Sequence, residues 1–128
     1  MPKFDWRSMR LRKHADFQRV YQESRRYSSA SMTYFFRLRD SAEPAAPGNP
    51  GSAPRIGFTT GRVLGGAVVR NRIRRRMREA VRLHADELPQ RADVVLHPRK
   101  IVLDMNFTLL EKEVSRVFAA IAAAGARS

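Results

Sequence analysis

The chain has 128 residues, 43% of them hydrophobic, enough to bury the core of one domain. Its 25 Lys and Arg against 12 Asp and Glu leave a formal charge of +13, which favours a polyanionic partner and says nothing of fold. It contains no cysteine, which excludes a disulfide framework and thiolate metal sites, and it shows neither a membrane-spanning apolar run nor the apolar core of a signal peptide, so a soluble cytoplasmic protein with no membrane association is expected.

Residues 1–12 are basic and aperiodic, with Arg7, Arg10 and Arg12 followed by Lys13, and read as a flexible arm. Phe17, Val20, Tyr21 and Ser24 recur at helical spacing and predict a short helix over 15–23. After Arg25 and Arg26 the period falls to two. Met32, Tyr34, Phe36 and Leu38 read as a core face, and Thr33, Phe35, Arg37 and Arg39 as a wet one. One aromatic among cations suits a nucleic-acid surface, and suits equally an edge strand with an incidental exposed Phe. Residues 41–54, SAEPAAPGNPGSAP, hold four prolines, two glycines and one charge, the composition of a flexible surface loop. Residues 55–60 read as a short strand, and GRVLGGA (61–67) as the turn into a helix.

That helix is the most distinctive segment. Seven arginines fall within residues 70–82, RNRIRRRMREAVR. At about 100° per residue, Val69, Ile73, Met77 and Ala80 form one apolar stripe; Arg70, Asn71, Arg74, Arg75, Arg78 and Arg82 lie opposite it, and Arg72 and Arg76 flank it. Glu79 is the one acid in the stretch, so internal pairing cannot neutralise this face, and an external polyanion is implied. Arginine outnumbers lysine 21 to 4; its planar fork suits phosphate and base contacts, although a GC-rich genome gives the same bias. The helix is expected to end near residues 83–85. DVVLHP (93–98) predicts a central strand. Residues 108–124 predict a last helix with Leu109, Leu110, Val114, Val117, Phe118 and Ile121 as its apolar face, opened by a capping box of Thr108 and Glu111. The order of elements predicts an α/β two-layer sandwich.

No protein-borne active site is visible. His14, His84 and His97 match no zinc spacing, the acids are scattered, and GRVLGGA lacks the Gly-Lys-Ser/Thr ending of a phosphate loop. If the chain belongs to an enzyme, another component is expected to do the chemistry.

The segment RIGFTTGRVLGGAVVRNRIRRRMREAVRL resembles the signature of the bacterial ribonuclease P protein subunit, whose hallmark is an R-N-R core in a basic helix, here Arg70, Asn71 and Arg72. LRKHADFQRVY (11–21) is similar to a second motif of that family, and the resemblance spans about residues 11–123. It departs where the family usually reads S-K-K-V-G-N-A: the Ser and Asn positions are Gly61 and Gly66, and the second Lys is Val63. The resemblance implies a sandwich of a roughly four-stranded mixed sheet with three helices, like the second domain of ribosomal protein S5, with a left-handed crossover. It implies a single RNA-binding domain that is the protein component of a ribonucleoprotein endoribonuclease. The RNA subunit would carry the chemistry with bound Mg²⁺, removing the 5′ leader from precursor tRNA. The implied partners are ribonuclease P RNA and precursor tRNA, with no obligate protein partner. Carried over by position, Arg62, Arg70, Asn71, Arg72 and Arg75 would contact the catalytic RNA, and Phe17, Tyr21, Phe35, Arg74 and Arg78 would line a leader cleft. Spacing alone fits Phe17 and Tyr21 to a core as readily as to a cleft. A ribosomal-type RNA-binding protein without a role in cleavage explains charge, fold and aromatic face equally well, and only the two motifs count against it. Docking of the basic helix on a membrane is disfavoured by a stripe that lacks Trp and Phe.

Overall fold

Two seven-residue segments, one of alternating pattern and one a mainly apolar run, set the centre of the fold. The computed structural model of the chain describes residues 5–40 and 51–126. In it, strand β2 (Met32–Leu38) pairs antiparallel with β4 (Ala92–Pro98), which pairs on its other side, in parallel, with β3 (Arg55–Phe58). A two-residue β1 (Tyr27–Ser28) adds to the outer edge of β2, giving the mixed sheet order β1-β2-β4-β3. The parallel pair needs a crossover, and helix α3 (Ala67–His84) supplies it.

Helix α3 and the last helix, α4 (Phe107–Ala126), cover one face of the sheet. Ile73, Met77, Ala80 and Val81 of α3 pack there with Leu110, Val114, Phe118 and Ile121 of α4 against Met32, Ile56, Val94 and Leu96. This layer pair is the expected sandwich. Helix α2 (His14–Glu23) lies on the other face, where Val20 packs with Leu11 and Val95. Among the described residues no helix is long and apolar enough to cross a membrane.

Four features differ from the sequence reading. First, from Asp5 onward the basic N-terminal segment is docked. A single turn, α1 (Trp6–Met9), is capped by the Asp5 side chain, Met9 and Leu11 are buried, and the Leu11 amide bonds to the Ile56 carbonyl at 2.9 Å. Three apolar side chains among the cations anchor it, too few to register as a period. Second, the Pro/Gly loop is held in place at residues 51–54, while residues 41–50 lie outside the described residues. Its end is tied to the sheet, with the Arg39 guanidinium donating to the carbonyls of Gly51 and Ala53 at 2.9 and 2.6 Å. Third, α4 starts one residue early, and Asn106, not a Thr108–Glu111 box, caps it: its Oδ1 accepts from the Thr108 and Leu109 amides. Leu109 falls outside the buried stripe, at 59% exposure.

The fourth difference is the largest. Arg37 and Arg39, expected on a wet face, are only 7% and 9% exposed. Both converge with Arg55 on the fully buried Asp93. Its Oδ1 accepts from Arg39 at 2.6 Å and from Arg55 Nε at 2.9 Å, and its Oδ2 from Arg55 at 2.8 Å and Arg37 at 3.3 Å. Cross-strand register dictates this: Arg37 and Arg55 are the direct neighbours of Asp93 on either side. Two acids of α2 complete the neutralisation, Glu23 to Arg37 at 3.0 Å and Asp16 to Arg55 at 3.4 Å. Removing one partner of a buried ionic cluster leaves the rest uncompensated, typically at a cost of about 3–5 kcal/mol. Asp93→Asn is therefore expected to destabilise the fold by about that much in urea denaturation; a loss below about 1 kcal/mol would show that the cluster is not holding the strands together.

Candidate nucleic-acid interface

The arginine helix enters from a 3-10 turn, Arg62–Leu64, closed by Gly65 at φ +131°, a conformation that demands glycine. Gly66 is the helix N-cap and offers no side-chain oxygen to the first-turn amides. Nothing lies within 4 Å of where a Cβ would project at Gly61 or Gly66, so the Ser and Asn usual at these positions would fit without displacing a neighbour. Val63, standing where a cation is usual, is almost fully exposed.

The buried stripe fixes which arginines remain outside. Arg62, Asn71, Arg72 and Arg75 are exposed or half-exposed along the turn and the first half of α3, and Arg70 is half-buried with its Nε unbonded among the described residues. The five residues expected to meet a catalytic RNA therefore stand on one continuous stretch of turn and helix. Asn71 also orients a neighbour. Its Oδ1 accepts from Arg74 Nη1 at 2.8 Å while Arg74 Nη2 donates to Thr60 Oγ1 at 2.8 Å. Arg74 is thereby held between Asn71 and Thr60, where it lines a cleft.

That cleft has a volume of about 360 Å³, within the ligand-pocket range, and runs between α3 and the sheet edge. Phe17, Arg74 and Arg78 line it together, with Gly57 in its floor. A Cβ at Gly57 would lie 2.5 Å from Phe17 Cζ, so the absence of a side chain there is what lets the ring seat against β3. Tyr21 and Phe35 form an edge-to-face pair with centroids 5.0 Å apart. They pack with Phe17 in one cluster but do not line the cleft itself.

Four further cleft residues, Trp6, Arg10, Arg12 and Phe58, carry no signal in the sequence that would place them there. Three of them belong to the N-terminal segment, which is ordered by its docking and not by any period of its own. His97 is a fifth residue that the sequence left unassigned. Alternation with Val95, opposite Phe35, places His97 on the aromatic face. Its Nε2 is 2.8 Å from the Tyr21 hydroxyl, and its ring centroid is 5.2 Å from that of Phe35. Burial, with the nearby charge of Arg26, pushes the His97 pKa below the usual imidazole value, so a neutral ring holds Tyr21 in place. At the far end of α3, burial opposes the charged form of His84, but its contacts with Glu87 and Glu111 prevail and raise its pKa.

The two histidines act on stability with opposite sign. The unfolded state takes up the His97 proton first as pH falls, so the His97 contribution is full above the ordinary imidazole pKa of about 6.5 and is lost below it. His84, with a raised folded pKa, stabilises most at low pH. Subtracting a His97→Gln variant cancels the His84 part. The stability advantage of the unsubstituted protein over His97→Gln is expected to shrink between about pH 7.5 and about pH 5.5 in urea denaturation; a constant difference would contradict a buried neutral His97.

Four of the described acids are engaged elsewhere: Asp93 with three arginines, Glu113 with Ser29 and Ser31, Glu87 with His84 and Ser115, and Glu79 with Arg82. Among the described residues no three His, Asp or Glu side chains are grouped to hold a metal ion.

A family model described as Ribonuclease P matches residues 6–122. The chain is 41% identical over 112 residues to the ribonuclease P protein component of Chloroflexus aggregans, covering 87% of this chain and 76% of that one. It is 35% identical over 112 residues to the ribonuclease P protein component of Symbiobacterium thermophilum, covering 88% and 90%. Among solved structures, the RNase P protein from Thermotoga maritima aligns with a TM-score of 0.70 at 24% identity, over 88% of this chain and 96% of that one. The RNase P protein of Staphylococcus aureus aligns with a TM-score of 0.68 at 24% identity, over 85% and 91%. These two share the fold.

Proposed function

The chain belongs to the ribonuclease P protein family, and from that membership and the cleft beside its arginine helix we propose that it is the protein subunit of ribonuclease P. In this role it binds the catalytic RNA and the 5′ leader of precursor tRNA and assists removal of that leader. The family match weighs against a ribosomal-type protein, which the charge and fold alone would allow.

The observation that carries the reading is the division of labour around Asn71. Arg62, Arg70, Asn71, Arg72 and Arg75 form an open cationic surface suited to the phosphates of a folded RNA. Arg74, turned by Asn71 and Thr60, joins Arg78 and Phe17 in the neighbouring cleft. Cations and aromatic rings along one path match a single strand of variable sequence, because stacking and phosphate pairing do not depend on base identity. The RNA subunit carries the cleavage chemistry, with Mg²⁺ bound through that RNA. Catalytic RNA and precursor tRNA suffice as partners, with no obligate protein partner.

Stacking on an aromatic side chain is worth about 1–3 kcal/mol per base. Phe35→Ala is expected to weaken holoenzyme binding to precursor tRNA by an amount in that range and to leave binding of mature tRNA unchanged, read in paired equilibrium titrations. Equal losses for both would remove Phe35 from the leader path.

A further inference from the structure

The arginine helix carries a second depression that the leader cleft does not use. It has a volume of about 530 Å³ and is lined by Trp6, Arg75, Arg76, Arg78, Arg82 and Phe107, with Glu79 beside Arg82. Arg75, Arg78 and Arg82 stand at i, i+3 and i+7, one row along the outer face of α3. Arg76 and Arg78 are about 160° apart around the helix, so the trough crosses that face from one flank to the other. On one flank, Trp6 also walls the leader cleft beside Arg78 and packs on Phe58 with centroids 5.3 Å apart. On the other, Phe107 lies under the Arg76 guanidinium, whose carbon is 5.9 Å from the ring centre. Arg76 is fixed there by bonds to the Val102 and Met105 carbonyls.

The charge balance of this trough is one-sided. Glu79 is its one acid and is already paired with Arg82 at 2.6 Å. Arg75, Arg76 and Arg78 have no carboxylate partner among the described residues, so three positive charges remain uncompensated. Aromatic surface at the ends with a cationic row between them is the arrangement that holds unpaired nucleotides, bases against rings and phosphates against guanidinium groups. An acidic protein segment would satisfy the charges but not use the aromatic ends.

We propose that this trough is a second single-strand site, which takes an unpaired stretch of the catalytic RNA while the leader occupies the cleft on the other side of Arg78. The proposal rests on the reading of the chain as the ribonuclease P protein subunit. Two RNA strands then flank the same row of arginines, and neutralisation by one lowers the repulsion that the other would otherwise face alone.

The test uses the full chain and a bacterial ribonuclease P RNA. Arg82→Glu places a like charge beside Glu79 on the surface and reverses one end of the row; Phe107→Leu keeps apolar contact under Arg76 but removes the ring. Arg82→Glu is expected to weaken RNA binding about tenfold with a shallower salt dependence, and Phe107→Leu about fivefold. In the reconstituted holoenzyme both variants keep the unsubstituted preference for precursor over mature tRNA. Unchanged RNA affinity in either variant overturns the proposal, as does loss of the precursor preference, which would give the trough to the leader. If the unsubstituted chain fails to bind the RNA, the functional reading itself falls, a result distinct from either.

Discussion

A carboxylate with no solvent exposure, Asp93, receives guanidinium groups from the strands on both of its sides, and the placement of α2 and of the cleft follows from that ion cluster. Arg37 and Arg55 are its cross-strand neighbours, and they extend the cluster to Glu23 and Asp16 at the two ends of α2. Helix α2 is thereby aligned along the sheet, with Phe17 against Gly57 and Tyr21 against His97. Apolar contact through Val20, Leu11 and Val95, with Phe17, Tyr21 and Phe35 packed around them, adds to that alignment. Buried charges tolerate one arrangement where apolar residues tolerate many, since each unpaired group costs several kcal/mol.

The arginines divide into three physical populations. Arg37, Arg39 and Arg55 are neutralised inside the fold. Arg76 and Arg99 spend their donors on backbone carbonyls and pin the loop before α4 and the β1–β2 turn. Arg62, Arg72, Arg75 and Arg78 stand outside without carboxylate partners among the described residues. The arginines neutralised inside the fold add little to the attraction of a polyanion, so the formal charge of +13 overstates the interface, which the exposed and half-exposed arginines along α3 define.

Much of this division was legible in the sequence. The 3.6-residue stripe of α3 identified both its buried face and the exposed arginines, because one helix face decides the other. Alternation in β2 identified the two faces of the strand but not what covers them. Arg37 and Arg39 looked solvated because their neutralising partner, Asp93, lies more than fifty residues away and resembles the polar start of an apolar run. The docking of Trp6, Met9 and Leu11 was hidden for a related reason: a segment this short has no period, and its order comes from tertiary contacts. Asn106 competed with Thr108 for the cap, and a one-residue shift of the helix start decides between them. For the candidate site, the R-N-R surface and the aromatic residues were assigned by position, whereas the bond from Arg74 to Thr60 and the support of Tyr21 by His97 join segments distant in sequence.

The most direct test of the proposed role beside an RNA catalyst is cleavage itself. Precursor tRNA is incubated with a bacterial ribonuclease P RNA at low millimolar Mg²⁺, with and without the full chain, and the 5′ ends are mapped. Cleavage restored at the mature 5′ end by the protein is the expected result. Binding of the RNA with no change in the rate or site of cleavage would contradict it and leave the arginine helix as a docking element without a part in processing.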